Sequence, residues 1–441
     1  MKMYEEYKDS GVKWIGEVPS HWKIAPIKRF LSGMQDGTHG TYQTVDSGYP
    51  LLSAKNVFDT GLCIEDAERK ISKDDYYSII ANGYPQKGDI ALCCVGTIGR
   101  CCIYNEDVPY AFQRSVTFLR CNEAGYNSFF LYCLKSQVAN TQYRMYEKTS
   151  AQSGIYMGVL KTLIFPIPTF IEQHHIAAYL DAKTEKIDKM IAKAEKKIEY
   201  FGELKQSLIT RAVTRGLNPN APLKDSGVKW IGDIPRDWEI PRLNFVTSKI
   251  GSGSTPKGGS EVYVDEGVVF LRSQNVYNDG LRLNDVVHIV PSIHEQMKGT
   301  KVQVDDILFN ITGASIGRCC RFTKGIGEAN VNQHVCIVRP KNILPTFLMY
   351  CLQSFVGQTQ LRQLLKGGNR EGLSGESFKN FYVLLPSPNE QQQIATYLDI
   401  KCSKIDHIVA TQKKKIAYLQ ELKQSLITNV VTGKILSLIH I

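Results

Sequence analysis

The chain has 441 residues, 43% hydrophobic and 22% charged: too long for one ordinary core, and apolar enough to fill roughly two to four. Lys and Arg number 53 against 43 Asp and Glu, a formal charge of +10, which excludes an acidic chain and admits, without requiring, a polyanionic partner. No apolar run of about 18 residues occurs, and the opening MKMYEEYKDSG lacks the apolar stretch of a signal peptide, so a cytoplasmic protein with no membrane segment is expected.

The first element in the chain is a motif, Asp9 to Trp22 (DSGVKWIGEVPSHW), that returns as Asp225 to Trp238 (DSGVKWIGDIPRDW). It carries all four tryptophans, Trp14, Trp22, Trp230 and Trp238, and their identity in both copies predicts core packing over base stacking. Each motif leads into a globular region of about 150 residues, a repeat-sized unit. The two regions share a skeleton: Leu52 to Val57 answers Leu271 to Val276, Gly88 to Leu92 answers Asp305 to Phe309, Thr97 to Cys102 answers Ser315 to Cys320, and Tyr132 to Leu134 answers Tyr350 to Leu352. Short β-branched runs punctuated by Gly and Asp predict sheet-rich heads, with one helix near Ser128 to Val138 and again near Pro345 to Val356. The twelve cysteines fall as adjacent pairs (Cys93-Cys94, Cys101-Cys102, Cys319-Cys320) or singly, with no Cys-x-x-Cys spacing. Adjacent side chains point opposite ways on a strand, so these are read as buried, reduced thiols and not as metal ligands.

Each region ends in a long helix, Glu172 to Thr214 and Glu390 to Thr432. Apolar or small residues recur at Ala177, Leu180, Ile187, Ile191, Ala194, Ile198, Phe201 and Leu208, and in the copy at Ala395, Leu398, Ile405, Val409, Ile416, Leu419 and Leu426. This is a coiled-coil seam on helices roughly 60 Å long at 1.5 Å per residue, and the obvious partner of each helix is its copy. Motif and helix are nearly identical between copies while the heads keep only skeletal positions, a pattern that predicts two different binding specificities on one scaffold. Glu203, Lys205 and Gln206, matched by Glu421, Lys423 and Gln424, are read as solvent-facing residues that mark a surface for two identical partners.

The motif Lys-Trp-Ile-Gly-x-x-Pro-x-x-Trp (Lys13 to Trp22, Lys229 to Trp238), the Pro-x-x-x-Glu-Gln helix start (Pro168 to Gln173, Pro386 to Gln391) and the run Leu-Lys-Gln-Ser-Leu-Ile-Thr together resemble the specificity subunits of type I restriction-modification enzymes, twice over and across nearly the whole chain. The resemblance implies an α+β fold with an internal two-fold repeat, in which two sheet-rich target recognition domains are separated by two long helices forming an antiparallel coiled coil. It places a first recognition domain at 1–168, a helix at 169–216, a second recognition domain at 217–386, a helix at 387–434 and a tail at 435–441. It implies a non-catalytic subunit that reads a bipartite site on double-stranded DNA, sets the gap with its helices, and docks two methyltransferase subunits and through them two restriction/translocase subunits. S-adenosylmethionine, ATP and Mg would belong to those partners, with no cofactor in this chain. The apolar tail ILSLIHI after Lys434 departs from the family pattern and reads as a truncated or appended end.

The residues agree with a chain that carries no catalytic centre of its own. No Asn/Asp-Pro-Pro-aromatic loop exists for a flipped adenine, since Asn218-Pro219 runs on into Asn220, and no Gly-x-x-x-x-Gly-Lys-Ser/Thr phosphate loop occurs. Gly325-x-Gly327 reads as a hairpin turn. His174-His175 is answered by Gln392-Gln393, which gives no repeated metal pair. A protein-binding scaffold and a fused methyltransferase are the competing classes.

Base recognition needs donors and acceptors on protruding loops, backed by Lys and Arg for phosphates. Four pairs of stretches fit. Gly33 to Tyr42 and Gly251 to Ser260 offer Thr38, His39, Thr255 and Lys257. Lys148 to Gly154 and Lys366 to Gly372 offer Lys148, Thr149, Gln152 and Ser153 against Lys366, Asn369 and Arg370. The third pair contributes Lys55 and Gln274, beside asparagines that equally fit a structural role. The fourth sets Gln113 and Arg114 against Asn332, Gln333 and His334. Arg100 and Arg318 are common to both copies and fit either a phosphate contact or a structural hydrogen bond.

Overall fold

A computed structural model describes residues 4–146, 154–366 and 372–436. It divides into two compact units: residues 1–194 with 414–441, which are discontinuous in sequence, and the continuous stretch 195–413. Each unit therefore holds one head, the start of the helix that follows it and the end of the other long helix.

In the first head, strands β1 (Leu31–Asp36), β2 (Tyr49–Leu52), β3 (Lys70–Ile71), β4 (Ile90–Cys93), β5 (Cys101–Ile103), β6 (Ala111–Phe112) and β7 (Val116–Cys121) form two sheets. One is antiparallel in the order β5-β4-β7-β1, the other runs β6-β2-β3 with β6 parallel to β2. The second head repeats this strand for strand: β8 (Thr247–Ser252), β9 (Val268–Leu271), β10 (Val287–Ile289), β11 (Ile307–Asn310), β12 (Cys319–Arg321), β13 (Ala329–Val331) and β14 (Val335–Pro340) give the orders β8-β14-β11-β12 and β10-β9-β13. The period-two pattern accounts for the layering. In β4, Ile90 and Leu92 face the core beneath the helices, while Ala91 and Cys93 face the core between the sheets. In β11, Ile307 and Phe309 take the first role and Leu308 the second.

The adjacent cysteines divide in the same way, Cys101 and Cys319 to one core, Cys102 and Cys320 to the other. All twelve thiols are free, and burial pushes Cys94 and Cys320 up to about 12, which makes them inert at neutral pH. Gly325 and Gly327 do form a turn at φ +96° and +87°. The flanking β12 and β13 lie in different sheets, so it is a connection between layers and not a hairpin.

Where one helix was expected in each head there are two: α1 (Asn127–Lys135) and α2 (Gln137–Tyr146) in the first. The long helix α3 (Phe170–Arg215) follows. The second head has α4 (Pro345–Gln353) and α5 (Phe355–Lys366), and then the long helix α6 (Pro388–Val431). The break is a serine held in extended conformation, Ser136 at ψ 162° and Ser354 at ψ 163°. The hydroxyl of each donates back to a carbonyl, Cys133 or Cys351, at 2.6 Å and accepts from the next helix, Ala139 N at 3.4 Å or Gly357 N at 3.3 Å. One side chain thus ends one helix and starts another.

Within each unit the two long-helix segments run antiparallel. In the first, Lys423 meets Asp188 at 2.7 Å, and Gly433, just past the end of α6, packs on Trp22, whose indole donates to Glu172 at 3.3 Å. In the second, Lys205 meets Asp406 at 2.7 Å, and Gly216 packs on Trp238, whose indole donates to Glu390 at 2.9 Å. Both glycines have positive φ, +70° and +73°, and a Cβ on Gly433 would sit 2.3 Å from Pro19, so the helix end needs glycine twice over. Seam residues Ala177, Leu180, Ile187, Ala194, Ala395, Leu398, Ile405 and Leu419 are buried.

The repeated helix residues face inward more than expected. Lys205 and Gln206 are half-buried: Lys205 holds Asp406, and the Gln206 amide donates to Gln353 O at 3.0 Å. Lys423 and Gln424 repeat this with Asp188 and with Lys135 O at 2.9 Å. Only Glu203 and Glu421 of the six are exposed. The tryptophans also split: Trp22 and Trp238 are buried, whereas Trp14 is 37% exposed and Trp230 half-buried. No helix among the described residues is long and apolar enough to cross a membrane.

Candidate nucleic-acid interface

The chain passes from one sheet to the other at Gln113–Ser115 in the first head and at Asn332–His334 in the second, a tight corner in each. Backbone hydrogen bonds pin the corner from both layers. Gln113 N donates to Leu52 O at 2.8 Å, Cys94 N to Ser115 O at 2.9 Å, and Arg114 N to Thr38 O at 2.9 Å. In the second head Asn332 N donates to Leu271 O at 3.0 Å and Ile311 N to His334 O at 3.0 Å. Side chains on such a corner are displayed from a backbone with little freedom.

The glycine-bearing stretches run against these corners. Gly33–Asp36 and Gly251–Ser252 are strand, not loop, and the chain then turns along the corner. A Cβ on Gly37 would lie 2.2 Å from Gln113 O, and one on Gly253 2.0 Å from Val331 O. Glycine is required there by the approach of the protein's own backbone. Thr38 consequently sits beside Gln113 and Arg114, its hydroxyl 2.6 Å from Tyr42 OH. His39 is exposed near Asp36 at 3.7 Å, and Lys257 is exposed. In the second head the Thr255 hydroxyl donates to Gln333 Oε1, the Gln333 amide nitrogen donates to His334 Nε2 at 3.1 Å, and His334 Nδ1 lies 2.6 Å from Thr312 Oγ1.

Lys55 and Gln274 stand on short 3-10 turns next to the corners, and both are committed within the head. Lys55 pairs with Glu68 at 2.7 Å, and hydrogen bonding to Lys55 holds the Glu68 carboxyl below its usual range despite burial. Gln274 donates to Asp285 at 2.7 Å. Asn56 and Asn275 are buried and cap these turns. Arg100 donates to Ala54 O and covers the Phe58 ring, and Arg318 covers Tyr277 at 4.7 Å. Asn332 is 8% exposed, its Oδ1 accepting from His334 N.

Lys148, Thr149, Gln152, Ser153, Asn369 and Arg370 lie outside the described residues, as does the side chain of Lys366, whose backbone ends α5. Their flanks are placed: Gly154 bridges Val95, and Leu373 N donates to Ile311 O at 2.8 Å. Both stretches thus rejoin the fold beside the loops that border the corners. The structure brings together Thr38, Gln113 and Arg114 in one head, and Thr255, Gln333 and His334 in the other. Thr312 joins the second group through His334 without a signal in the sequence, while Tyr42, the last residue of the stretch from Gly33, joins the first through Thr38. Among the described residues no three His, Cys, Asp or Glu side chains converge as metal ligands would.

The family model of the type I restriction modification DNA specificity domain matches the chain twice, at residues 46–200 and 235–419. A putative type I restriction enzyme MjaX specificity subunit of Methanocaldococcus jannaschii is 24% identical, with 97% of each chain covered. The type I restriction enzyme EcoBI specificity subunit of Escherichia coli is 28% identical over 74% of this chain and 70% of its own. A solved structure from work on complex assembly and conformational transition of the type I R-M system shares the fold at TM-score 0.68 and 15% identity, covering 95% of this chain and 99% of that one. With both heads matched by one family model, the chain belongs to the type I restriction modification DNA specificity family.

Proposed function

We propose that this chain is the non-catalytic recognition subunit that reads a bipartite site on double-stranded DNA, one half-site per head. One observation carries the reading. The two heads agree strand for strand and share the backbone hydrogen bonds that pin the corner from each sheet, yet differ in the side chains displayed there, Gln113 and Arg114 against Gln333 and His334. A shared frame with different displayed donors and acceptors is what two unlike half-sites require. The long helices set the gap between half-sites, and the chain docks two methyltransferase subunits, which bind S-adenosylmethionine, and through them two restriction/translocase subunits that use ATP and Mg. DNA-contacting side chains come from the corners, from the neighbouring Thr38, His39, Thr255 and Lys257, and from the segments around Gln152 and Arg370, with Lys55 and Gln274 at the edge.

Selection from random duplexes with the chain assembled with its methyltransferase subunits should return two short half-sites separated by a fixed unread gap. Inserting residues between Lys196 and Lys197 should change the gap and leave both half-sites as they were. A single continuous site, no selected sequence, or half-sites altered by the insertion would overturn the proposal.

A further inference from the structure

The corner hydrogen bonds allow the two heads to be matched residue by residue where their sequences do not align. Gln113 and Asn332 both donate their backbone N–H to the last residue of the central strand, Leu52 or Leu271, and Ser115 and His334 both accept from the loop after β4 or β11. Arg114 and Gln333 are therefore the same position, between two pinned residues, and both are exposed. Resting on the reading that the heads bind DNA, we propose that Arg114 and Gln333 are specificity-determining residues, Arg114 for guanine in the half-site of the first head and Gln333 for adenine in that of the second.

The chemistry follows from what each side chain has free. The Arg114 guanidinium is exposed and meets no carboxylate among the described residues, so its fork of donors is available for the O6 and N7 acceptors of guanine. Gln333 is held at both ends. The Thr255 hydroxyl donates to its Oε1, and its Nε2 donates to His334 Nε2, which is an acceptor when Nδ1–H points to Thr312 Oγ1 at 2.6 Å. Each amide atom retains one unused valence, a lone pair on Oε1 and a hydrogen on Nε2, the pair that adenine N6–H and N7 satisfy. His334, Thr255 and Thr312 are thus positioning residues that fix which end of the amide donates. The first head has Ser115 in place of His334, and its hydroxyl accepts from Ala54 N at 3.0 Å; a guanidinium, all donor, has no orientation to fix.

The test uses the chain assembled with its methyltransferase subunits and duplexes carrying the selected site. Arg114→Gln should move the preference at one base pair of one half-site from G·C toward A·T, and Gln333→Arg should do the reverse in the other, each by roughly ten- to hundredfold. Substituting 7-deazaguanine or 7-deazaadenine, which lack the N7 acceptor, should weaken the unaltered protein at one position per half-site and leave Arg114→Ala or Gln333→Ala indifferent there. His334→Ala should relax discrimination at the Gln333 position alone. Uniform weakening across all sequences by Arg114→Gln would make Arg114 a phosphate contact and overturn the assignment while leaving DNA recognition intact. Unchanged preference in both swaps would overturn it likewise, whereas failure of the unaltered assembly to select any sequence would sink the recognition reading itself.

Discussion

At the residue scale, the repeated motif residues have identifiable work in joining head to helix. Glu172 begins α3 with a reciprocal cap, accepting from Thr169 N at 3.0 Å while its own N–H donates to Thr169 Oγ1 at 3.3 Å, and its other oxygen takes His21 and Trp22. Gln173 accepts from Tyr126 N at 2.9 Å, as Gln391 does from Leu344 N at 2.8 Å, satisfying the start of α1 in one head and of α4 in the other. The Glu-Gln pair was legible as a motif; its job was not, because the partners lie about 50 to 150 residues away along the chain. Burial would raise the Glu172 carboxyl, but hydrogen bonds from His21, Thr169 and Trp22 outweigh it and hold the group below its usual range. A lowered folded value means the carboxylate stabilises fully above the ordinary pKa of about 4.3 and loses that contribution as pH falls through the folded value. Glu172→Gln should therefore melt below the unaltered protein at pH 5.5, with the gap narrowing toward pH 3.5; a gap that holds or widens would show that the charge is not what matters.

At the scale of elements, the sheets were foreseen as a class and the helices in part. Both long helices fall within two residues of the ends read from the seam, Glu172 to Thr214 and Glu390 to Thr432, since a sustained apolar seam is hard to mistake. The split of α1 from α2 and of α4 from α5 escaped notice because YCLKSQV and YCLQSFV keep helical periodicity through the serine. What stabilises the break lies far off in sequence: Thr210 Oγ1 accepts from Phe355 N and Thr428 Oγ1 from Gln137 N, each at 2.9 Å, beside the Gln206 and Gln424 amides. The identity of the two Leu-Lys-Gln-Ser-Leu-Ile-Thr runs is thereby explained by the joint they close. Gln206→Ala with Thr210→Val leaves a carbonyl and an N–H without these partners, at a cost of about 1–3 kcal/mol. Hydrogen exchange should accelerate in α5 and not in α2, and Gln424→Ala with Thr428→Val should do the opposite; acceleration in the wrong head would refute the pairing.

At the scale of the whole molecule, each compact unit borrows the end of a helix that belongs, in sequence, to the other repeat. Ile427, Val430 and Val431 enter the core of the first unit, and Tyr7 OH donates to Gly433 O at 2.9 Å. Ile209, Ala212 and Val213 fill the same places in the second. The residues alone do not say which helix end serves which head, because the two ends are nearly the same sequence and either would fit; the antiparallel pairing implied by the family resemblance is what assigns them. That ambiguity is itself informative about isolated repeats. A fragment of residues 1–216 keeps the first head and all of α3 but lacks residues 414–431, so its core would lie open where Ile427 and Val430 belong. The missing surface is supplied chemically by Ile209, Ala212 and Val213 of a second copy, with Lys205, Gln206 and Thr210 standing in for Lys423, Gln424 and Thr428. Closure of both heads by exchanged helix ends gives a symmetric pair. The fragment should sediment as a dimer, and Gln206→Ala with Thr210→Val should weaken it; mixing 1–216 with 217–441 should also yield the one-to-one pair. A folded, monomeric 1–216 fragment would show that the head does not need the borrowed end.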